Sequence, residues 1–251
     1  MDLELTDRVY VITGGARGLG RATADQLVAE GAKVVLSGRN EESLAAAVAQ
    51  LGDAAVSVTA DNADPETPAR LVEAARESFG RLDGVLVSVG GPPTGTVAST
   101  KDEDWTRAFE SVFLGAVRVA RGVVAELGEG GTVTFVLSSS VRSPIPNLTI
   151  SNGLRPGLAM VAKTLADEVG PRGIRVNGLM PGRIGTERVA ELDASTGDAE
   201  AARERALKTI PLGRYGEPEE FGRAAAFLMS PASSFITGIM LPVDGGMLRT
   251  I

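Results

Sequence analysis

The segment Thr13-Gly14-Gly15-Ala16-Arg17-Gly18-Leu19-Gly20 lies between an apolar run, Val9–Thr13, and an Ala/Leu-rich stretch of helical period. A strand that turns through glycines straight into a helix constrains this chain more than any other feature. Gly14 permits the tight turn, Gly18 lets backbone approach a ligand closely, and Gly20 lets the helix pack on the strand. The free N–H groups and positive dipole end of that helix then match a pyrophosphate. The same glycines without these flanks would read as an ordinary turn; the strand before and helix after make them a dinucleotide-binding signature.

The rest of the chain repeats the alternation. Candidate strands are Val9–Thr13, Lys33–Ser37, Val56–Ala60, Gly84–Ser88, Thr132–Leu137, Arg175–Met180 and Ile239–Val243. Helix-period segments lie between them at Leu19–Glu30, Glu41–Gln50, Glu66–Phe79, Asp104–Glu126, Pro156–Val169 and Pro218–Met229. Alternating strands and helices predict an α/β fold on a parallel sheet, and continuous Val/Ile/Leu strands predict helices on both faces. No linker or repeat divides the 251 residues, so one domain is expected. Ala194–Arg205, charged and flanked by the Pro181-Gly182 and Pro211 breaks, reads as a lid inserted near 183–210.

Composition removes several chemistries. The chain has no Cys and no His, which excludes thiolate or imidazole zinc sites, Cys nucleophiles and Ser-His-Asp triads; no metal site is expected. A formal net charge of −7 argues against nucleic acid as a partner. No apolar run approaches the roughly 20 residues that span a bilayer. Met1–Asp7 is acidic rather than a secretory leader, so a cytoplasmic protein without membrane association is expected.

The pattern Thr-Gly-x-x-x-Gly-x-Gly resembles that of the short-chain dehydrogenase/reductase family. So do Asp61, Gly173-Ile174-Arg175-Val176-Asn177, Pro181-Gly182, Thr186, Thr237-Gly238 and Val243-Asp244-Gly245-Gly246, in the family's order from end to end. The resemblance implies a doubly wound Rossmann fold of about seven strands, a nicotinamide cofactor, a small-molecule substrate and a homotetramer. NAD-selective Rossmann proteins carry an acid about 20 residues past the glycines. Here that place reads Ser37-Gly38-Arg39-Asn40, with Gly38 where the acid usually stands. Arg39 and Arg17 instead suit a 2′-phosphate, pointing to NADP(H), although both would look the same as solvated surface arginines. Candidate cofactor contacts are Gly14, Arg17, Gly18, Leu19, Gly20 and Arg39 in the first half. Asp61, Asn62, Arg155, Pro181, Gly182 and Thr186 complete the set, Asp61 serving equally well as a turn former.

The catalytic segment departs from the family, which typically uses Asn, Ser and a Tyr-x-x-x-Lys pair. The only tyrosines are Tyr10 and Tyr215, and neither is followed four residues later by Lys. By its flanks, the resemblance places Ser151 at the Tyr position, Arg155 at the Lys position, Ser138 at the Ser position and Val112 at the Asn position. Ser88-Val89-Gly90-Gly91 stands where Asn-Asn-Ala-Gly is usual. A hydroxyl and a cation thus keep four-residue spacing on one helix face. The candidate catalytic residues are Ser138, Ser151 and Arg155; alternatively the regular helix starts near Arg155, Ser151 caps it and Arg155 only holds the cofactor.

Arg142, Arg155 and Arg183, without an evident carboxylate partner, would suit an anionic substrate if they are not simply surface arginines. In the helix after Arg155, Leu158, Val161, Leu165 and Val169 form one stripe, expected against the sheet. Ala159, Ala162 and Ala166 form a small-residue face fit for a partner subunit or an internal contact. The leading expectation is an NADP(H)-dependent oxidoreductase of carbonyls and alcohols, 3-oxoacyl-reductase-like, with a non-standard site. The alternatives are a cofactor-binding protein without turnover, or a non-redox enzyme on the same scaffold.

Overall fold

The computed structural model describes residues 2–250. Its elements run β1 (Val9–Thr13), α1 (Gly18–Ala29), β2 (Lys33–Gly38), α2 (Glu41–Leu51), β3 (Ala55–Thr59), α3 (Thr67–Phe79) and β4 (Gly84–Val87). They continue through α4 (Asp102–Ala108), α5 (Gly115–Glu126), β5 (Thr132–Val136), α6 (Thr149–Val169) and β6 (Arg175–Pro181). Then come α7 (Glu187–Ala194), α8 (Ala199–Leu207), α9 (Pro218–Met229) and β7 (Met240–Val243). The strands pair in parallel in the order β3-β2-β1-β4-β5-β6-β7. The chain winds outward from β1 to β3, then crosses back to β4, so the sheet is doubly wound with its switch point between β1 and β4.

β1 is buried throughout because a hydrophobic layer covers each face. Leu71 and Ala75 of α3, Val119 and Val123 of α5 and Leu158 and Ala162 of α6 form one layer. Leu27 of α1, Leu44 of α2 and Phe221 and Ala225 of α9 form the other. Helices α1 and α9 approach so closely that a Cβ on Gly222 would sit 2.4 Å from the Ala22 carbonyl oxygen. Arg175 is buried against the far end of α9, donating to the carbonyls of Leu228 at 2.7 Å and Ser230 at 2.9 Å. Those are carbonyls that a helix C-terminus leaves without partners.

Three expectations need correction. The segment expected to be one helix over Asp104–Glu126 is broken by a π-helical stretch at Phe109–Leu114, which carries Val112. Just after it, a Cβ on Gly115 would lie 2.4 Å from the Asn62 carbonyl oxygen, so the re-phased helix presses on the loop after β3. The helix expected from Pro156 begins at Thr149, with Pro156 inside it. An internal proline costs about 3 kcal/mol. Tertiary ties on the first turn outweigh that: Ile150 is fully buried, and the Asn152 amide both accepts from Ile145 N at 3.0 Å and donates to its carbonyl at 2.9 Å. Finally, Ala159, Ala162 and Ala166 are buried in the chain's own core, whereas Val161 and Leu165 of the stripe assigned to the sheet are half-buried. Small side chains are what let α6 lie close on the sheet, so that face is not left for a partner subunit. Among the described residues no helix is long and apolar enough to cross a membrane.

Candidate active site

The C-terminal ends of β1, β2, β4, β5 and β6 open onto one cavity of about 1180 Å³. That is the place an open α/β sheet offers a ligand. The glycine turn forms one wall. Gly14 and Gly18 take φ of +60° and +56°, and a Cβ on Gly20 would stand 2.3 Å from the Gly14 carbonyl oxygen. Gly15 N donates to the Ser37 carbonyl at 3.0 Å, tying the turn to β2. Thr13 Oγ1 donates to the Ser88 carbonyl at 2.7 Å and accepts from Ser88 N at 2.8 Å, clamping β1 to β4 beside the crevice. No side chain caps α1, so its first N–H groups face the cavity without an internal partner. This cradle fits a dinucleotide pyrophosphate.

Next to it, Gly38 and Arg39 end β2. A Cβ on Gly38 would meet only Leu44, at 3.8 Å, so no steric reason forbids a larger residue. Arg39 is exposed on the cavity and has no ion-pair partner among the described residues. Arg17 also lines the cavity, but its guanidinium pairs with Glu187 of α7 at 3.1 Å. Asp61 and Asn62 line the same end. Asp61 builds a turn, its Oδ1 accepting from Ala63 N at 3.0 Å and its carbonyl from Thr67 Oγ1 at 2.6 Å.

At the other end the structure gathers Ser138, Ser151 and Arg155 on the cavity wall. Ser138 Oγ accepts from Ser140 N at 3.1 Å, where β5 turns into a short 3₁₀ segment. Ser151 is buried, and its Oγ lies 3.2 Å from Ser140 Oγ. Arg155, one helical turn on, is buried as well. Nη1 donates to the Val136 carbonyl at 2.8 Å and Nη2 to the Val89 carbonyl at 3.4 Å, while Nε has no partner. Burial pushes this guanidinium down to about 10, which leaves it charged at neutral pH. It is a cation with no carboxylate beside it and an unspent donor. Neither tyrosine belongs here as an acid. Tyr10 is locked in the core, donating to the Met229 carbonyl at 3.1 Å, and burial pushes its phenol up.

Helices α7 and α8 border the cavity mouth. Thr186 caps α7, its Oγ1 accepting from Val189 N, and packs 3.8 Å from where a Gly18 Cβ would be. Pro181 ends β6, and Gly182 N donates to the Val243 carbonyl at 3.0 Å. Arg188 donates to the Pro92 carbonyl at 2.7 Å, joining α7 to the loop after β4. Arg183 is not the unpaired cation expected from sequence: it pairs with Asp193 at 2.8 Å, and Tyr215 OH donates to the other oxygen of Asp193 at 2.9 Å. Burial and then that hydrogen bond push the Tyr215 phenol up. Arg142 reaches Thr250 at 3.4 Å. Ser140, Asp193 and Arg188 escaped the sequence reading. Ser140 sits in a run of three serines with nothing to distinguish it, and the other two act through partners remote in sequence.

Among the described residues no cluster of acidic side chains could hold a metal ion. A family described as enoyl-(acyl carrier protein) reductase matches residues 14–248. An uncharacterised oxidoreductase of Mycobacterium tuberculosis is 39% identical over 248 residues, covering 96% of this chain and 91% of its own. A short-chain dehydrogenase/reductase of the glucose/ribitol dehydrogenase type from Brucella melitensis superposes with a TM-score of 0.93 at 29% identity, both chains covered in full. L-sorbose reductase from Gluconobacter frateurii, solved with NADPH and L-sorbose, gives 0.93 at 32% identity, again with full coverage of both.

Proposed function

The chain belongs to the short-chain dehydrogenase/reductase family, an NAD(P)(H)-dependent oxidoreductase scaffold, and on that premise we propose that it interconverts a carbonyl and an alcohol with NADP(H). The reaction is of the 3-oxoacyl-reductase type, carried out by a catalytic set without tyrosine. The observation that carries this reading is Arg155: a buried guanidinium with an orphan Nε and no counter-charge, on the same cavity wall as two serine hydroxyls. Burying an unpaired charge costs several kcal/mol, a cost that a ligand or a developing negative charge offsets.

In this reading the glycine cradle and the N–H groups of α1 would hold the pyrophosphate, and Arg39, joined by Arg17 once it leaves its exposed pair with Glu187, would hold the 2′-phosphate. Asp61 and Asn62 border the adenine, and Pro181, Gly182, Thr186 and Arg155 border the nicotinamide half. NADPH, when bound, supplies the hydride. Ser138 uses one of its two acceptor sites on Ser140 N and keeps its hydroxyl proton for the substrate oxygen. Arg155 offsets negative charge growing on that oxygen in a low-dielectric site. Ser138 or Ser151 relays the proton from water in the cavity, completing the alcohol. Helices α7 and α8 act as the substrate lid of a single-domain, tetrameric enzyme.

Without a tyrosine acid, turnover is about 10²- to 10⁴-fold slower than such a pair would allow. The test is NADPH oxidation with 3-oxoacyl thioesters, L-sorbose and simple ketones, beside NADPH titration. Ser138→Ala is expected to reduce turnover and leave NADPH affinity intact. Fast ketone reduction that survives Ser138→Ala, Ser151→Ala and Arg155→Ala together would overturn the assignment. A second reading, binding without redox turnover, is favoured by the Ser151 hydroxyl being engaged by Ser140. It takes over if NADPH binds and no carbonyl, imine or activated alkene is reduced.

A further inference from the structure

Ser140 does not line the cavity, yet it touches both hydroxyl residues that do. Its N–H donates to Ser138 Oγ at 3.1 Å. Its own hydroxyl lies 3.2 Å from Ser151 Oγ and 3.4 Å from the Ser151 carbonyl. Both side chains are buried. A serine hydroxyl has one proton and two acceptor sites, so this small cluster has two complete hydrogen-bonding arrangements. In one, Ser140 donates to Ser151 Oγ, and the Ser151 proton is free to face the cavity. In the other, Ser140 donates to the Ser151 carbonyl, Ser151 donates to Ser140 Oγ, and a Ser151 lone pair faces the cavity instead.

We propose that Ser140 is a positioning residue that sets the polarity of the Ser151 hydroxyl, making it a donor toward a carbonyl substrate and an acceptor toward an alcohol. The change between the two is rotation of two hydroxyl groups, with no covalent bond broken and no net charge moved. A lone serine in the first turn of a helix would otherwise turn its hydroxyl to nearby backbone or solvent. The neighbouring Ser140 removes that freedom and confines Ser151 to the two useful orientations. This inference deepens the oxidoreductase reading above and rests on it.

The test is a double-mutant cycle of Ser140→Ala and Ser151→Ala, with reduction and oxidation rates, NADPH affinity and melting temperature measured for each protein. Ser140→Ala is expected to lower kcat in both directions by about five- to tenfold, the worth of one positioned hydrogen bond, with KM and NADPH affinity unchanged. In the Ser151→Ala background the same change is expected to do nothing further to kcat. The two substitutions are also expected to be non-additive in melting temperature, a readout independent of turnover. Wild-type kcat in Ser140→Ala, or losses that add in the double variant, would overturn the role of Ser140 and leave the oxidoreductase reading standing. A wild-type protein that turns over no substrate would overturn that reading and this role with it.

Discussion

Arg155 donates to the Val136 carbonyl at 2.8 Å, fixing a buried, uncompensated guanidinium at the C-terminal end of β5. Its second contact, to the Val89 carbonyl, reaches the end of β4, so one side chain spans the floor of the crevice. Arg155→Ala is expected to weaken NADPH binding by at least about tenfold, or about 1.4 kcal/mol, and to depress turnover further. Arg155→Lys keeps the charge but not the planar fork and should fall between the two. Fluorescence titration of NADPH checks both; affinity unchanged in the alanine variant would contradict the role.

Cofactor choice rests on what ends β2. NADPH is expected to bind at least about tenfold more tightly than NADH, because Arg39 faces the cavity and no carboxylate stands at Gly38. Gly38→Asp is expected to erode the preference without unfolding the protein, since its Cβ meets nothing closer than Leu44 at 3.8 Å. Parallel titrations with both nucleotides measure this, and equal wild-type affinities would refute it.

Asp193 of α7 ties Arg183 to Tyr215. Tyr215→Phe removes one donor and leaves Asp193 paired with Arg183. The expected result is a raised KM for substrate with kcat nearly kept, from a looser lid. Steady-state kinetics separates the two, and a change confined to kcat would count against it.

Arg175 does not line the cavity and bonds only the end of α9 and the segment after it. Arg175→Met strips donors from the carbonyls of Leu228 and Ser230 and from Ser233 Oγ. Ser233 still donates to both carbonyls, so what is lost is the hydrogen bonds from a charged donor, worth about 1.5–3 kcal/mol, and urea unfolding should show a loss of at least about 2 kcal/mol. NADPH affinity should not change under native conditions.

A homotetramer is expected in solution, its contacts including the side of α6 next to α4 and the π-helical segment. Met160 is 64% exposed and Phe109 43% exposed there, and Phe109 stacks on Phe113 at 5.4 Å between ring centroids. Light scattering at micromolar concentration checks it, and Met160→Glu is expected to lower the measured mass. A monomeric wild type would refute the expectation.

What the amino-acid sequence determined by itself was what depends on local pattern. The glycine turn declares itself because strand, φ-positive glycines and helix follow one another in the chain. The strands declare themselves because a sheet covered on both faces demands unbroken apolar runs. That no Tyr is followed four residues later by Lys, and that Ser151 and Arg155 stand four residues apart, could likewise be read from the letters. Only the tertiary structure decided which polar groups meet. Arg183 found Asp193 ten residues away on a helix whose orientation no local pattern specifies. The first turn of α6 survived Pro156 because Ile145 and the core hold it, and its alanines were taken up by the core rather than left for a partner. Ser140 became distinct from its two neighbours only when the end of β5 and the start of α6 were brought together. Pairing between remote side chains depends on the geometry of the whole sheet, and that geometry is what a linear pattern does not contain.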